Sequence, residues 1–157
     1  MPRRCLFLVA LLLFAAGLSG CSYLTDFVVV NDSGAPVEVR YQIKNYPGTF
    51  SPPVAPASMS ASELKSKGNQ QWTTITSSRF QLDEANRTVI VQLSPQEALL
   101  VTRMHNYAGH DNPADAQEFP IQQISLSGVH GETKFVGEQA RRSFTEISSA
   151  LYTLTYK

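Results

Sequence analysis

Two of the chain's three histidines and one aspartate lie in a short polar segment, as His105, His110 and Asp111. Neutral imidazoles and carboxylates are ligands that zinc and related metals bind, with at least three held at fixed geometry. The histidines are five residues apart, which matches neither one face of a helix nor one face of a strand, so only a loop could bring the three side chains together. The segment fits either a metal-dependent or hydrolytic enzyme or a solvated loop between strands. We predict the loop, with no metal, no cofactor and no enzymatic activity.

Other catalytic patterns are weaker. Serines are common, but none stands in a Gly-x-Ser-x-Gly elbow. Ser127 is close in sequence to His130, yet neighbours on a turn rarely face each other, and the glycines at 128 and 131 predict a hairpin turn. The sequence therefore contains no pattern specific to nucleophilic catalysis.

A basic cluster near the C-terminus is a candidate contact surface. It consists of Lys134, Arg141 and Arg142. Beside a membrane, such a cluster could meet anionic lipid headgroups or an acidic partner, and the alternative is an ordinary solvated face.

The segment from Asn45 to Gln70 is a second candidate contact surface. It is long and proline-rich for a connection between strands, and such loops are uncommon unless they are functional or disordered. Tyr46 and Phe50 beside stiff prolines would make a contact patch. The alternative is a loop that covers one open end of the fold.

Alternation of apolar and polar residues dominates the chain and indicates half-buried strands. The clearest examples are Val37 to Ile43 and Thr88 to Leu93. A turn-rich connector predicts that Phe27 to Val30 forms a hairpin with the first, and Ala98 to Val101 is predicted as the antiparallel neighbour of the second. Further strands are predicted at Gln71 to Thr76, Arg79 to Leu82, Ile124 to Val129 and Leu151 to Tyr156.

Two short helices are predicted between the strands. Ser60 to Glu63 has the spacing of a capping box, which predicts a helix that ends near Ser66. Ala140, Phe144 and Ile147 fall at i, i+4 and i+7, which predicts a second helix, the alternative being a loop that enters a strand. Many short strands with frequent turns predict a mainly β fold. We expect a single antiparallel β-sandwich, with immunoglobulin-like architecture as one option.

The N-terminus has the layout of a secretory signal. Arg3 and Arg4 precede an apolar run from Cys5 to Ala16, and a Leu-Ser-Gly-Cys tetrapeptide ends at Cys21. This tetrapeptide resembles the lipobox of bacterial lipoproteins. The resemblance implies that the signal is cut before Cys21, that the cysteine sulfur receives diacylglycerol, and that the new amino terminus is acylated with a fatty acid such as palmitate. Ser22, where aspartate would favour the inner membrane, implies the outer membrane and a domain in the periplasm.

The mature chain would have 11 basic and 13 acidic residues. This near-neutral balance gives no general attraction for nucleic acid. With Cys5 removed and Cys21 acylated, no cysteine would remain for a disulfide. The predicted divisions are a signal peptide at 1–20, a lipid-anchored tether at 21–26 and a β-sandwich at 27–157.

We predict a non-catalytic binding or assembly module, held beside the membrane by lipid on Cys21 and recruiting a membrane-proximal envelope protein. One alternative is the metal-dependent or hydrolytic enzyme built on His105, His110 and Asp111. The other is a small-ligand carrier with an apolar cavity between its sheets.

Overall fold

Strands make up most of the described part of the chain in the computed structural model, which confirms the predicted mainly β fold. The structure describes residues 22–44, 56–64, 71–107, 119–148 and 150–157. The predicted signal and Cys21 lie outside these residues, as do Tyr46 and Phe50, His110 and Asp111. No helix within the described ranges is long and apolar enough to cross a membrane.

The described residues form eleven strands and two short helices. The elements are β1 (Ser22–Asn31), β2 (Val37–Ile43), β3 (Ala57–Ser60), α1 (Ala61–Leu64), β4 (Thr73–Thr74), β5 (Phe80–Asp83), β6 (Thr88–Leu93), β7 (Glu97–Tyr107), β8 (Ile121–Gly128), β9 (Gly131–Val136), α2 (Glu138–Arg142), β10 (Thr145–Ser148) and β11 (Leu151–Tyr156).

These strands form two separate sheets. Sheet 1 has six strands in the order β10-β11-β1-β7-β3-β4, and sheet 2 has five in the order β5-β6-β2-β8-β9. The described pairings are antiparallel except that β1 runs parallel to β11. The start of β1 differs from expectation, because Ser22 to Asp26, predicted as a tether, pair with β7. Ordered strand therefore begins one residue after Cys21.

The hairpin turn predicted from the glycines at 128 and 131 is confirmed, because β8 and β9 pair on either side of it, but the other two predicted antiparallel pairs are wrong. β1 and β2 belong to different sheets, and so do β6 and β7. The physical reason is visible in the continuous apolar runs of β1 and β7, because an uninterrupted run marks a strand that is covered on both faces. Phe27 to Val30 and Ala98 to Val101 are all buried, whereas β2 alternates between buried and more exposed positions.

Asn31 holds the corner where both connections cross between the sheets. Its side-chain amide donates hydrogen bonds to the carbonyls of Ala35, Leu93 and Ser94, and its side-chain oxygen accepts from the backbone and hydroxyl of Ser33. The Asn31 side chain is fully buried. A buried amide with this many partners fixes the paths of both connections at once.

One cluster of buried side chains contains residues of both sheets. The alternating inward positions of β2 and β6 include five side chains that are at most 2% exposed; these are Val37, Val39, Tyr41, Val89 and Val91. Phe27 lies at the centre of an aromatic group, with ring centroids 4.9 Å from Phe119, 5.5 Å from Phe144 and 5.1 Å from Tyr152.

A second apolar cluster covers the outer face of sheet 1 beneath α1. It contains Val28, Val30, Met59, Ala61, Leu64, Ala98, Leu100 and Leu151, with Trp72 packed against it. The predicted capping box is confirmed, because the backbone amide of Ser60 donates to Glu63 at 3.4 Å and the Ser60 hydroxyl accepts from the backbone of Ser62 at 3.3 Å. The short helix α1 is thereby held against the sheet.

The second predicted helix is present but shorter than its apolar spacing suggested. α2 ends at Arg142, and β10 follows from Thr145 and pairs with β11. Ala140 and Phe144 are buried as expected, but Ile147 is 64% exposed. Pairing with β11 places Ile147 in an edge strand, where helical spacing no longer determines the direction of its side chain.

Candidate functional site

The predicted metal-ligating residues are only partly within the described ranges. His105 lies in β7 with its backbone paired to Leu24, whereas His110 and Asp111 lie outside. Among the described residues, no group of three His, Cys, Asp or Glu side chains is placed to hold a metal ion. The arrangement that the enzyme hypothesis needs therefore stays a prediction.

The basic residues near the C-terminus lie on two different elements. Arg141 and Arg142 are on α2, and Arg142 forms an exposed ion pair with Glu138 at 3.1 Å. Lys134 is on β9, where its neighbours include Arg40 of β2 in a shared groove. The structure thus places Lys134 on the outer face of sheet 2.

Part of the proline-rich contact segment is regular structure. Tyr46 and Phe50 lie outside the described residues, but β3 and α1 occupy 57–64. Met59 and Leu64 are 6% exposed and contribute to the cluster on the outer face of sheet 1. These two side chains support the fold and are not available as a contact patch.

The outer face of sheet 2 is polar, and two of its shallow grooves lie side by side at the centre of the sheet. One has a volume of about 290 Å³ and the other about 340 Å³. Arg40 and Gln123 line both grooves. The first groove is completed by Gln42, Asp83, Asn86, Thr88 and Ile90, and the second by Glu38, Ser125, Ser127, Glu132 and Lys134.

Charges on this face are of mixed sign and are partly paired. Arg40 donates to Glu38 at 3.2 Å, and the side-chain amide of Gln92 donates to the other carboxylate oxygen of Glu38 at 3.3 Å. Hydrogen bonds from the side chain and backbone of Asn86 lower the pKa of Asp83. The face can therefore form hydrogen bonds and ion pairs with a polar partner, without a strong preference for either sign of charge.

The outer face of sheet 1 carries an apolar groove of about 230 Å³. Its floor is the outer side of β11, α1 forms one wall and Ile147 of β10 forms the other. The groove is lined by Val30, Asp32, Ala61, Leu64, Ile147, Leu151, Thr153, Thr155 and Lys157. Leu24, on the same face at the start of β1, is 44% exposed. Ile147 is thus an exposed apolar side chain in the wall of this groove, and Leu24 is a separate one on the same face.

The first residues of β1 are held by a bidentate ion pair. Asp26 accepts hydrogen bonds from Arg103 Nε at 2.6 Å and from Arg103 Nη2 at 2.8 Å. The carboxylate is nearly buried, and the hydrogen bond from Arg103 to Asp26 raises the pKa of the guanidinium group. This pair fixes the end of the strand that follows Cys21.

Another carboxylate, Glu97, lies at the far end of β1 and, unlike Asp26, connects the two sheets. Glu97 of β7 accepts hydrogen bonds from Arg79, from the Ser58 hydroxyl at 2.6 Å and from the backbone of Ser94 at 2.8 Å. Burial acts to raise the pKa of Glu97, but the hydrogen bonds from Arg79, Ser58 and Ser94 outweigh it and lower the pKa below its usual range. Because Arg79 directly precedes β5 of sheet 2, this cluster joins the sheets.

Sequence reasoning missed the central position of Arg40 and the exposed position of Ile147. The alternation of β2 already placed Arg40 on the solvent face, so that signal was available. The groove beside Ile147 had no local signal, because its two walls are separated by more than 80 residues along the chain.

Comparison of the chain with protein-family models, with curated proteins and with solved structures gives no match.

Proposed function

We propose that the protein is a bacterial lipoprotein, anchored by acyl chains on Cys21, that acts as a non-catalytic binding or assembly module beside the membrane. The lipobox-like tetrapeptide that ends at Cys21 supports the anchor. The observation that carries the proposal is the start of β1 at Ser22. The folded domain begins directly at the anchor, so a partner must come to the membrane surface to meet it.

The number of acyl chains decides how permanent this attachment is. One chain gives marginal, reversible membrane binding, whereas two or more give stable anchoring. A diacylglyceryl group on the Cys21 sulfur, with a further acyl chain on its amino group, would therefore keep the domain at the bilayer. Ser22 favours the outer membrane, with the domain in the periplasm.

We further propose that the two sheets pack face to face as one β-sandwich. The supporting observation is the single core cluster, to which β1, β7 and β11 of sheet 1 and β2, β6 and β8 of sheet 2 all contribute. The hydrogen bonds of Asn31 and Glu97 add polar connections between the sheets. Immunoglobulin-like architecture is a finer version of the same proposal.

The outer face of sheet 2 is the partner surface that fits this function best. Arg40 lies where the two polar grooves meet, and arginine is enriched among the residues that dominate binding energy. Interfaces of non-obligate complexes are about as polar as the rest of a protein surface. Anchoring raises the local concentration of this face near a membrane protein, so a modest interface would be sufficient.

Crosslinking in intact cells tests the function. The parent protein is compared with Cys21→Ser, Arg40→Ala and the control Arg142→Ala, which removes a cation that is already paired with Glu138. We expect Cys21→Ser to leave the membrane fraction and lose the crosslinked partner. Arg40→Ala should stay at the membrane but recover less partner, and Arg142→Ala should match the parent.

Two outcomes would contradict the proposal. If Cys21→Ser stays in the membrane fraction, the lipid anchor is wrong. If the parent protein is anchored but no crosslinked protein is recovered, the binding-module function is wrong.

A further inference from the structure

The two outer faces of the molecule differ in where they expose large apolar side chains. On sheet 1, Leu24 is 44% exposed and Ile147 is 64% exposed, and both lie on the outer face with the apolar groove. On sheet 2, the exposed large apolar side chains lie at the edges, on β5, on β9 and in the turn between β8 and β9; these are Leu82, Val136 and Val129. The central part of its outer face presents Glu38, Arg40 and Gln123 to solvent. The difference between the faces is therefore the apolar groove of sheet 1, which lies beside exposed Ile147, because the grooves at the centre of sheet 2 are lined mainly by polar side chains.

Strand register places Leu24 near the start of β1 and Ile147 level with the middle of that strand. Leu24 is three residues after Cys21, which is about 10 Å along an extended strand. Ile147 lies beside Leu151, which is level with Asp26 of β1. It is two strands away from β1, about 10 Å to the side. Leu24 therefore lies close to the end of sheet 1 at which the proposed anchor is attached. Ile147 is about 17 Å from that end along the strand direction and extends the exposed apolar surface to the middle of the sheet.

We propose that the outer face of sheet 1 rests on the surface of the bilayer that holds the acyl chains of Cys21. This inference rests on the proposed function. The headgroup layer on each side of a bilayer is about 5–8 Å thick, so a residue about 10 Å along the chain from the anchor stays at or just above this layer. Leaning the sheet onto its outer face then buries Leu24 and Ile147 among headgroups and upper acyl segments.

The polar residues on the same face are compatible with this orientation. The guanidinium of Arg103 uses two of its five N–H donors on Asp26 and is about one-third exposed. Its other N–H groups can donate to lipid phosphate. With sheet 1 against the bilayer, the grooves that contain Arg40 point away from the membrane, where a partner can reach them.

A labelling experiment tests the orientation in the anchored protein. Once Cys5 is removed with the signal and Cys21 is acylated, a single introduced cysteine is the only free thiol. Ile147→Cys and the matched control Gln92→Cys, exposed on β6 of sheet 2, each receive a polarity-sensitive fluorophore. The labelled proteins are reconstituted at low density into vesicles of phosphatidylethanolamine and phosphatidylglycerol. Both substitutions are at exposed positions, so folding should be unaffected.

We expect a blue-shifted emission at position 147, strong quenching by headgroup-labelled nitroxide lipid, and several-fold weaker quenching by aqueous iodide than at position 92. Equal iodide quenching at the two positions, in protein whose intact mass shows acylated Cys21, would overturn the orientation and leave the anchor standing. An intact mass without acyl groups would overturn the anchor and the orientation together. Protection at position 147 that appears only as protein density rises would assign the face to contact between copies and also overturn the proposal.

Discussion

The outer faces of the two sheets are built differently. On sheet 1, α1 covers the outer side of β1 and β7, and a second apolar cluster that includes Val28, Leu64 and Leu100 lies beneath it. On sheet 2, the corresponding layer consists of side chains such as Arg40 and Gln123 that meet water directly. The difference follows from sequence pattern, because β1 and β7 are apolar at consecutive positions and β2 alternates. A continuous apolar run in a strand thus shows that something must cover its second face.

The largest expected effect comes from opening the covered face. Leu100 is 2% exposed beneath α1, and Leu100→Ala should lower the free energy of unfolding by about 3 kcal/mol, because it removes buried methyl groups and leaves a cavity. Ile90→Ala, on the half-buried outer side of β6, is the matched change on sheet 2 and should cost less than about 1 kcal/mol. Urea denaturation measures both. Equal losses would show that the two faces are not covered differently.

Loss of the Asn31 hydrogen bonds, which hold the two connections between the sheets, should have the next largest effect on stability. Asn31→Ala removes the bonds to the carbonyls of Leu93 and Ser94 and leaves the Ser33 amide without its acceptor. We expect a loss of about 2 kcal/mol in unfolding free energy, because these groups stay buried. Asn86→Ala, which removes an exposed side chain, is the control and should cost less than about 1 kcal/mol. A matching loss in the two variants would argue against the role of Asn31.

A steric contact also ties the sheets together. A Cβ at position 128 would lie 2.8 Å from the hydroxyl of Tyr156, which accepts a hydrogen bond from the His130 amide and donates to the Gly131 carbonyl. Gly128→Ala should therefore cost about 1–2 kcal/mol, and Tyr156→Phe about 1 kcal/mol. In thermal or urea denaturation, the double variant should lose less unfolding free energy than the sum of the losses of the two single variants. Strict additivity would mean that the tyrosine hydroxyl does not mediate the effect.

The smallest expected effect is a pH dependence of stability that comes from Glu97, whose hydrogen bond with Arg79 also connects the sheets. Because the pKa of Glu97 is lower in the folded chain than its ordinary value of 4.5, ionised Glu97 stabilises the fold at neutral pH. That stabilisation is lost as the pH falls below about 4.5 towards the lowered pKa, since the folded chain must then take up a proton that the unfolded chain already holds. Glu97→Gln should make the loss of stability between pH 7 and pH 3 smaller than in the parent protein, measured by urea denaturation across this range. If the variant and the parent protein lose the same stability between pH 7 and pH 3, Glu97 does not cause the pH dependence.

The sequence supports strand assignment better than strand pairing. Val37 to Ile43 and Thr88 to Leu93 were predicted correctly because alternation is a local property of a half-buried strand. Their predicted partners were wrong because a connection of three to five residues can either turn back or cross to another sheet, and here the buried contacts of Asn31 hold both crossings. β9 was missed, since an edge strand with exposed side chains carries almost no apolar signal. β10 matches the strand that was the alternative to the second predicted helix, and its exposed side chains gave no signal to decide between the two.

The candidate surfaces show the same limit. The polar face around Arg40 follows from alternation in β2 once the sheet is known. The groove beside Ile147 forms only where β10, β11 and α1 lie next to each other, and no local sequence pattern predicts that these elements are neighbours. The contact patch predicted at Tyr46 and Phe50 and the metal site weighed at His110 and Asp111 lie outside the described residues, so both stay predictions.

The central place of β1 also determines how the domain would carry load. β1 is flanked by β11 along six register pairs and by β7 along ten, and its first residue follows Cys21 directly. A force applied at Cys21 would run along the strand axis, so both ladders would have to slide at once instead of opening pair by pair from one side. A pull between the membrane and a bound partner would therefore load the hydrogen bonds of both ladders together, which is the direction in which this fold resists unfolding most strongly.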